Sequence, residues 1–305
     1  MGSGFCSNGV NVLLFHHMGL LLLYLSTSLI TPLPSELLFH NNPVSIFSGE
    51  KVIKTLAQAY PKKVTSFGEE EGEWWINVGS KKFAYAQGRL LPWDLKAQWE
   101  EWDKQDYYIY PPPLIDPNSW NNSLIIRAEA TFTQRWDSKI KRYPEFSDSL
   151  WQINSRRTAE ARMVYVRFQG FRVRVHQDLQ PIILRLNTQV QSLREQSPGV
   201  AAYFRSLKTI DGFNWRPVAG TSSRSLHSYG AALDLVPKTY NGKSAYWRWS
   251  YNDTQPWFLD AWNSRYLPPE ALVKVFEDHG FVWGGRWFLF DTMHFEYRPE
   301  LFLLK

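Results

Sequence analysis

The chain has 305 residues, of which 44% are hydrophobic and 21% are charged. This composition is that of a folded globular protein with one large or two modest domains, and it excludes wholesale disorder. The net charge is +5, but the lysines and arginines are spread along the chain without a basic run, so we expect no nucleic-acid partner; a mildly basic protein also suits other anionic polymers.

The stretch at residues 18–30, MGLLLLYLSTSLI, is an uncharged apolar run. It is long enough for the apolar part of a signal peptide and shorter than the ~20 residues of a membrane span, and Ser26 and Ser28 offer a cleavage site. Because the first fifty residues contain no lysine or arginine, an uncleaved membrane anchor and a buried core helix stay open as alternatives. We expect residues 1–44 to be a signal peptide or membrane anchor followed by a linker, and the protein to be exported.

Residues 45–158 are predicted to form an N-terminal region of unknown role. The apolar spacing over 49–61 indicates a short amphipathic helix, and residues 73–92 are typical of two strands that form a hairpin around Gly79. Three consecutive prolines within 107–117 forbid a helix, so we expect an extended segment there.

Residues 159–305 are predicted to form a second domain. Alternating apolar and basic residues over 163–176 indicate a hairpin, and two amphipathic helices are predicted over 177–196 and 268–280. Aromatic, strand-like pieces follow over 281–297. Helices with antiparallel hairpins, and no regular alternation of single strands and helices, indicate an α+β fold, an antiparallel sheet with packed helices. We expect the 163–176 hairpin and the 281–297 strands to share this sheet.

Four histidines lie beyond residue 45: His176, His227, His279 and His294. His279 falls in the last turn of a predicted helix, where a cation interacts favourably with the helix dipole. His176 ends an alternating strand and is interpreted as structural. His227 and His294 remain as candidates for chemistry, because each has a carboxylate close by in the sequence.

Two motifs contain these histidines. SLHSYGAALDL at 225–235 fits the pattern S-x-H-x-x-G-x-A-x-D, and GFVWGGRWFLFDTMHFE at 280–296 fits WGG followed by D-x-x-H-F-E. The histidine–aspartate pair of either motif arises by chance when it stands alone. Together the two motifs resemble the zinc D-alanyl-D-alanine carboxypeptidase and L-alanyl-D-glutamate endopeptidase family of bacterial cell-wall peptidases. The resemblance covers roughly residues 163–297 and implies the antiparallel catalytic core of such peptidases, which is also found in hedgehog-like domains.

The resemblance implies a metal site with a separate acid–base group. The residues that match the family pattern make His227, Asp234 and His294 the ligands of a Zn²⁺ ion. Asp291 takes the place of the catalytic base, beside the metal but not bound to it. Glu296 lies two residues beyond His294 on the same strand face, where it could orient a ligand.

The resemblance also implies residues that contact the substrate. The family places an arginine shortly before the first motif, and Arg216 fits this place better than Arg224, although a surface arginine in a loop is the alternative. Ser225 matches the serine of the motif, which bonds substrate or a ligand; a serine that forms a turn is the alternative. The tryptophan-rich stretch 238–270 is either a wall of the substrate cleft or a self-packed loop.

The function implied is zinc-dependent hydrolysis of an amide bond in the stem peptides of peptidoglycan, in the periplasm or at the cell envelope. The D-x-x-H form of the second motif favours an L-alanyl-D-glutamate endopeptidase over a D-alanyl-D-alanine carboxypeptidase. A non-catalytic cell-wall binding module that keeps the peptidase fold is the alternative from a different class, and the apolar N-terminal segment leaves membrane association possible.

Overall fold

The computed structural model describes most of the chain beyond residue 46, in the ranges 47–110, 121–123, 125–126, 128–130, 141–219, 221–250, 257–259 and 261–304. All of them fall in one compact unit, Leu33–Lys305. The apolar run at 18–30 and most of the proline segment lie outside the described residues, so both expectations stay predictions. Within the described ranges, no helix is long and apolar enough to cross a membrane.

The first part of the chain is a helix followed by a four-stranded antiparallel meander. Ser48 caps the helix by accepting a hydrogen bond from the Lys51 N–H at 3.2 Å, and the strands lie in chain order in the sheet. Short helices follow before residue 163. These elements are α1 Gly49–Ala59, β1 Val64–Glu70, β2 Glu73–Val78, β3 Lys81–Ala86, β4 Arg89–Pro92, a 3₁₀ helix Trp93–Glu101, α2 Glu145–Trp151 and α3 Arg156–Arg162.

The second part contains two further antiparallel sheets and the helices that cover them. Its elements are β5 Met163–Phe168, β6 Phe171–His176, α4 Gln180–Gln196, α5 Pro198–Ser206, β7 Leu207–Asp211, a 3₁₀ helix Leu226–Tyr229, β8 Ala232–Pro237, α6 Trp247–Ser250, α7 Glu270–Glu277, β9 Phe281–Trp283, a 3₁₀ helix Gly284–Arg286, β10 His294–Tyr297 and α8 Pro299–Leu303. The central sheet has the order β7-β8-β10-β9, and every pairing in it is antiparallel. The protein therefore has the α+β fold that the sequence predicts.

The sheet assignment of the 163–176 hairpin differs from the prediction. The hairpin forms around Gln169 and Gly170 as expected, but β5 and β6 are a two-stranded sheet of their own, so the prediction that they share a sheet with the 281–297 strands is wrong. Isolated backbone hydrogen bonds connect the hairpin to neighbouring segments of the second part. The Phe213 N–H donates to the Arg174 carbonyl, and the His176 N–H donates to the Gly230 carbonyl.

One hydrophobic core contains side chains from both parts of the chain. Ile53 and Phe83 from the first part are buried in the same cluster as Phe168 and Phe295 from the second. Long-range ring contacts include that of Tyr60 with Tyr297, whose centroids lie 6.5 Å apart. The expected domain boundaries 1–44, 45–158 and 159–305 stay a prediction. The shared core shows that regions 45–158 and 159–305 pack against each other.

Gly230 occupies a backbone position that a side chain would disrupt. It ends the 3₁₀ helix Leu226–Tyr229 with a φ of 62°, and a Cβ there would overlap the sulfur of Met163 and lie 2.6 Å from the backbone nitrogen of His176. Glycine adopts this positive φ without steric cost, which allows the tight turn. The turn directs the chain from His227 straight into β8.

We expect Gly230→Ala to destabilise the protein more than Gly170→Ala. Gly170 also has a positive φ, of 93°, but a Cβ there would meet nothing within 4 Å, so the control carries only the cost of the left-handed backbone. The overlap at Gly230 should lower the free energy of unfolding by about 1–3 kcal/mol more than the control. Urea unfolding of both variants measures the difference, and equal losses would contradict this account of the turn.

Candidate metal centre

Three secondary-structure elements bring two histidines and an aspartate together. The 3₁₀ helix Leu226–Tyr229 carries His227, and Ser225 begins this helix by accepting a hydrogen bond from the His227 N–H at 3.3 Å. Strands β8 and β10 carry Asp234 and His294, which are direct partners in the antiparallel register. Because partners in a register point to the same face of a sheet, the two side chains meet beside His227.

The three side chains converge on one point. His227 Nε2 lies 3.2 Å from His294 Nδ1 and 3.1 Å from a carboxylate oxygen of Asp234, and His294 Nδ1 lies 2.9 Å from the other oxygen. In a tetrahedral zinc site, bonds of ~2.0–2.1 Å place the ligand atoms about 3.3 Å apart. These residues therefore form a group that could hold a metal ion, and the spacing of their atoms fits a small divalent cation.

The second nitrogen of each imidazole ring has its own partner. His227 Nδ1 lies 2.6 Å from the carbonyl oxygen of Gly212, to which it donates in the tautomer that leaves Nε2 as an acceptor. His294 Nε2 lies 3.2 Å from Glu296 Oε2, which likewise leaves Nδ1 directed at the convergence point. Metal-bound histidines in proteins are held in this way, by a carbonyl or a carboxylate at the other nitrogen.

The charges of the site favour a cation. Burial acts to raise the pKa of Asp234, but the hydrogen bonds and charges of His227 and His294 outweigh it and hold this pKa far below its ordinary value. Burial acts to lower the pKa of His294, but the carboxylates of Asp234 and Glu296 raise it to about 10. A site that keeps its carboxylates ionised and attracts a proton this strongly also attracts a metal ion, which would compete for the same position.

Asp291 lies beside this group in a turn that two glycines make possible. The Asp291 N–H donates to the Gly284 carbonyl at 3.0 Å, and a Cβ at Gly284 would lie only 2.7 Å from the Asp291 carbonyl oxygen. A Cβ at Gly285 would overlap the ring of Trp283. Gly284 is thus explained by a close approach of two backbone segments, and Gly285 by the ring of Trp283.

The carboxyl group of Asp291 is suited to proton transfer. Burial and the nearby charge of Asp234 raise the pKa of Asp291 to about 6. Its Oδ1 accepts a hydrogen bond from the Met293 N–H at 3.3 Å, and Asp291 is not a member of the group that converges on the metal position. A carboxyl group with a pKa near neutrality can both take and release a proton at physiological pH.

The two residues predicted to contact substrate have different surroundings. Ser225 is buried and its hydroxyl caps the 3₁₀ helix, which is the turn-forming alternative. Arg216 is exposed, with its backbone N–H and carbonyl both bonded to the hydroxyl of Ser228 at 2.8 Å. Arg224 forms an ion pair with Asp148, so it is committed to a structural contact. The substrate roles of Arg216 and Ser225 stay predictions.

Trp287 is an aromatic residue near the site that the sequence analysis missed. The ring of Trp287 lies 5.4 Å from that of His294, centroid to centroid. Burial raises the pKa of Tyr246 and the charge of Asp291 adds to the rise, whereas Arg248, Trp247 and Arg216 oppose it. Nothing in the sequence distinguishes Trp287 from the other tryptophans except its place just after the paired glycines.

The described residues of the tryptophan-rich stretch between the motifs are partly buried against the second motif. Trp247, Trp257 and Phe258 are buried in a small separate core with two phenylalanines from the second motif. Trp249 is 54% exposed and packs edge-on against Tyr240, whose hydroxyl reaches the sulfur of Met293. The described residues of the stretch therefore pack against each other and against the second motif, and Tyr240 links them to Met293, the neighbour of His294.

Comparison with known proteins agrees with these residues. A family described as D-alanyl-D-alanine carboxypeptidase matches residues 219–297, about a quarter of the chain, and this range includes both motifs. The match supports the resemblance to this peptidase group. A second family, described as a domain of unknown function, matches residues 52–108. Neither a curated protein nor a solved structure matches the chain.

We expect His294→Ala to abolish stoichiometric zinc binding, because one of three convergent donors is lost. His279→Ala is the matched control, since His279 is half-buried at the end of α7 and its Nδ1 contacts the Val275 carbonyl at 2.8 Å, away from the convergence point. The parent and the control should each bind about one zinc ion per chain, measured by mass spectrometry of the metal after dialysis. Full zinc content in His294→Ala would show that the metal lies elsewhere.

Proposed function

We propose that this protein is a zinc-dependent metallopeptidase that hydrolyses an amide bond in the stem peptides of peptidoglycan. The observation that carries the proposal is the arrangement of three convergent donors with a separate carboxyl group beside them. The family match supports peptidase chemistry on this class of substrate, and the donor set supports zinc.

Two imidazole nitrogens and one carboxylate oxygen are a donor set typical of catalytic zinc, which keeps a further position open. His227, Asp234 and His294 would hold the ion. When bound, zinc supplies Lewis-acid chemistry: it draws electrons from a carbonyl oxygen and makes water more acidic. The chain's own residues then decide where protons go and how the peptide lies.

Asp291 is proposed as the general base and acid. With a pKa of about 6, its carboxyl group is largely ionised at neutral pH and can take the proton of the attacking water. The same proton is then available for the leaving amine, which must be protonated as the amide bond breaks. No serine or cysteine nucleophile is required in this scheme.

Glu296 and Arg216 are proposed to support the reaction, Glu296 by orienting a metal ligand and Arg216 by binding the substrate. Glu296 holds the ring of His294 through Nε2, which keeps the imidazole oriented. Arg216 carries an exposed side chain whose charge acts on Tyr246, and it would bind a carboxylate or the carbonyl of a peptide. Tyr240, Tyr246 and Trp249 would form the aromatic wall along which the peptide lies.

The bond that is cleaved is proposed from the second motif. Its D-x-x-H form favours the bond between L-alanine and D-glutamate, and the terminal D-alanyl-D-alanine bond is the second candidate. A non-catalytic wall-binding module is the alternative from another class, but the separate carboxyl group of Asp291 favours an enzyme. We further propose that the protein is exported and works in the periplasm or at the cell envelope, where this substrate is found.

Incubation of the zinc-loaded protein with purified muropeptides tests the proposal. Mass spectrometry of the products should show cleavage between L-alanine and D-glutamate, whereas loss of one terminal D-alanine would identify the carboxypeptidase. Binding of the muropeptides without any cleavage would favour the binding module.

We expect Asp291→Ala to lower turnover of the muropeptide at least ~100-fold while zinc content stays near that of the parent. The reason is that general acid–base catalysis contributes at least this factor, and no metal donor is removed. His294→Ala should lose zinc as well as turnover, which separates the two roles. Near-full hydrolysis by Asp291→Ala would transfer the role of base to another group, of which Glu296 is the nearest candidate.

A further inference from the structure

A short segment of the N-terminal region lies directly behind the candidate metal centre. Residues 106–110, DYYIY, are called the 106–110 segment here, and its residues Tyr107, Tyr108 and Tyr110 are buried. Asp106, Tyr108 and Tyr110 form hydrogen bonds with residues more than 160 positions further along the chain, in and around strands β9 and β10. Arg142 holds the segment from its other side through an ion pair with Asp106 at 2.7 Å.

The first contact runs through Arg298 to the ligand His294. Arg298 Nη2 donates to the backbone carbonyl of Asp106 at 2.9 Å, and its Nη1 lies 3.5 Å from Glu296 Oε1. The other oxygen of Glu296 faces His294 Nε2 at 3.2 Å. A continuous set of polar contacts thus leads from the 106–110 segment to the imidazole.

The same arginine is tied to helix α1. Arg298 Nε donates to one oxygen of Glu300, and the other oxygen of Glu300 accepts a hydrogen bond from the Tyr60 hydroxyl at 2.7 Å. Glu300 is buried, and Tyr60 directly follows α1. Arg298 therefore has its position defined by two points of the N-terminal region, Asp106 and Tyr60.

The second contact reaches the ring of His294 from another direction. Trp287 Nε1 donates to the hydroxyl of Tyr108 at 2.9 Å, and the indole of Trp287 packs against the imidazole with 5.4 Å between centroids. Since Tyr108 is 1% exposed, this hydroxyl is a fixed acceptor. It sets the tilt of the indole that contacts His294.

The third contact holds the strand beside the ligand. The Tyr110 hydroxyl accepts a hydrogen bond from the Trp283 N–H at 2.9 Å and donates to Glu277 Oε1 at 2.6 Å. Trp283 on β9 is the register partner of Phe295 on β10, the residue after His294. Tyr110 thereby supports the strand pair that carries the ligand.

We infer that the 106–110 segment is a positioning element for the metal ligand His294, with Arg298 and Tyr108 as the positioning residues through which it acts. The inference rests on the proposed metal centre and adds a role for the N-terminal region, whose family match at residues 52–108 carries no function. The segment fixes the ring from two sides, through Glu296 and through Trp287. An imidazole held in this way needs no reorientation when a metal ion binds, so its affinity for the ion is higher.

Zinc titration of the full chain tests this role. Affinity is measured by competition with a chromophoric chelator, and the visible spectrum of the cobalt-substituted protein reports the geometry around the metal. Arg298→Met should weaken zinc binding about 10–100-fold, the range found when the partner of a metal-bound histidine is disturbed. Tyr108→Phe should weaken it by a smaller factor, on the order of a few fold, and both should shift the cobalt spectrum.

Two further variants separate positioning from general stability. Arg298→Lys keeps the positive charge beside Glu296 and should recover part of the lost affinity. Arg194→Met is the matched control: Arg194 is half-buried and donates to Gln169 Oε1 at 2.7 Å, but its partner lies at the β5–β6 turn and not in this network. Its zinc affinity and cobalt spectrum should equal those of the parent.

The outcomes distinguish the inference from the proposed function. If the parent protein binds no zinc, the metal centre itself is wrong and the inference falls with it. If the parent binds zinc tightly and Arg298→Met and Tyr108→Phe bind it equally well, only the inference is overturned. Should Arg298→Met fail to fold, Arg298→Lys and Tyr108→Phe decide: parental affinity and an unchanged cobalt spectrum in both would overturn the positioning role.

Discussion

The antiparallel pairing of β8 with β10 is the constraint on which the site depends. It places Asp234 opposite His294, so an anionic and a cationic group are held together at the edge of a hydrophobic core. The residues next to them, Leu233 and Phe295, are buried and lock the register. A register shift of one residue in either strand would turn the polar side chain of that strand to the other face and expose its buried neighbour, which the packing of the core opposes.

The remaining parts of the site are positioned relative to this strand pair. The turn at Gly230 leads from His227 into β8 and so places this histidine at one corner of the pair, and the carbonyl of Gly212 sets which nitrogen of its ring is available. The close backbone approach at Gly284 brings Asp291 to the same corner. Glycine is required at each of these places because neighbouring atoms occupy the space that a Cβ would need.

A chain of buried and half-buried charged groups adjoins the candidate ligand His294. Glu296 binds His294, Arg298 binds Glu296, and Glu300 binds Arg298. Buried carboxylates and guanidinium groups are costly unless each has a partner, so this alternation keeps the set stable while it holds the imidazole. The N-terminal region completes the set, since Tyr60 donates to the last carboxylate.

The sequence predicted the fold class, the long helices and the site motifs, because these depend on local periodicity and on residues close together in the chain. Strand β1 escaped prediction because its side chains are mostly exposed and show no apolar alternation. The hairpin at 163–176 was placed in the wrong sheet, since periodicity reveals which face of a strand is buried but not which strand lies beside it. Contacts such as that of Trp287 with Tyr108 join distant parts of the chain, and no local sequence pattern predicts them.

The central claim is that His227, Asp234 and His294 bind zinc, and X-ray absorption at the zinc edge of the zinc-loaded protein tests it most directly. We predict nitrogen and oxygen neighbours at ~2.0–2.2 Å with the outer-shell scattering of two imidazole rings. A shell of oxygen atoms without imidazole scattering would contradict the claim.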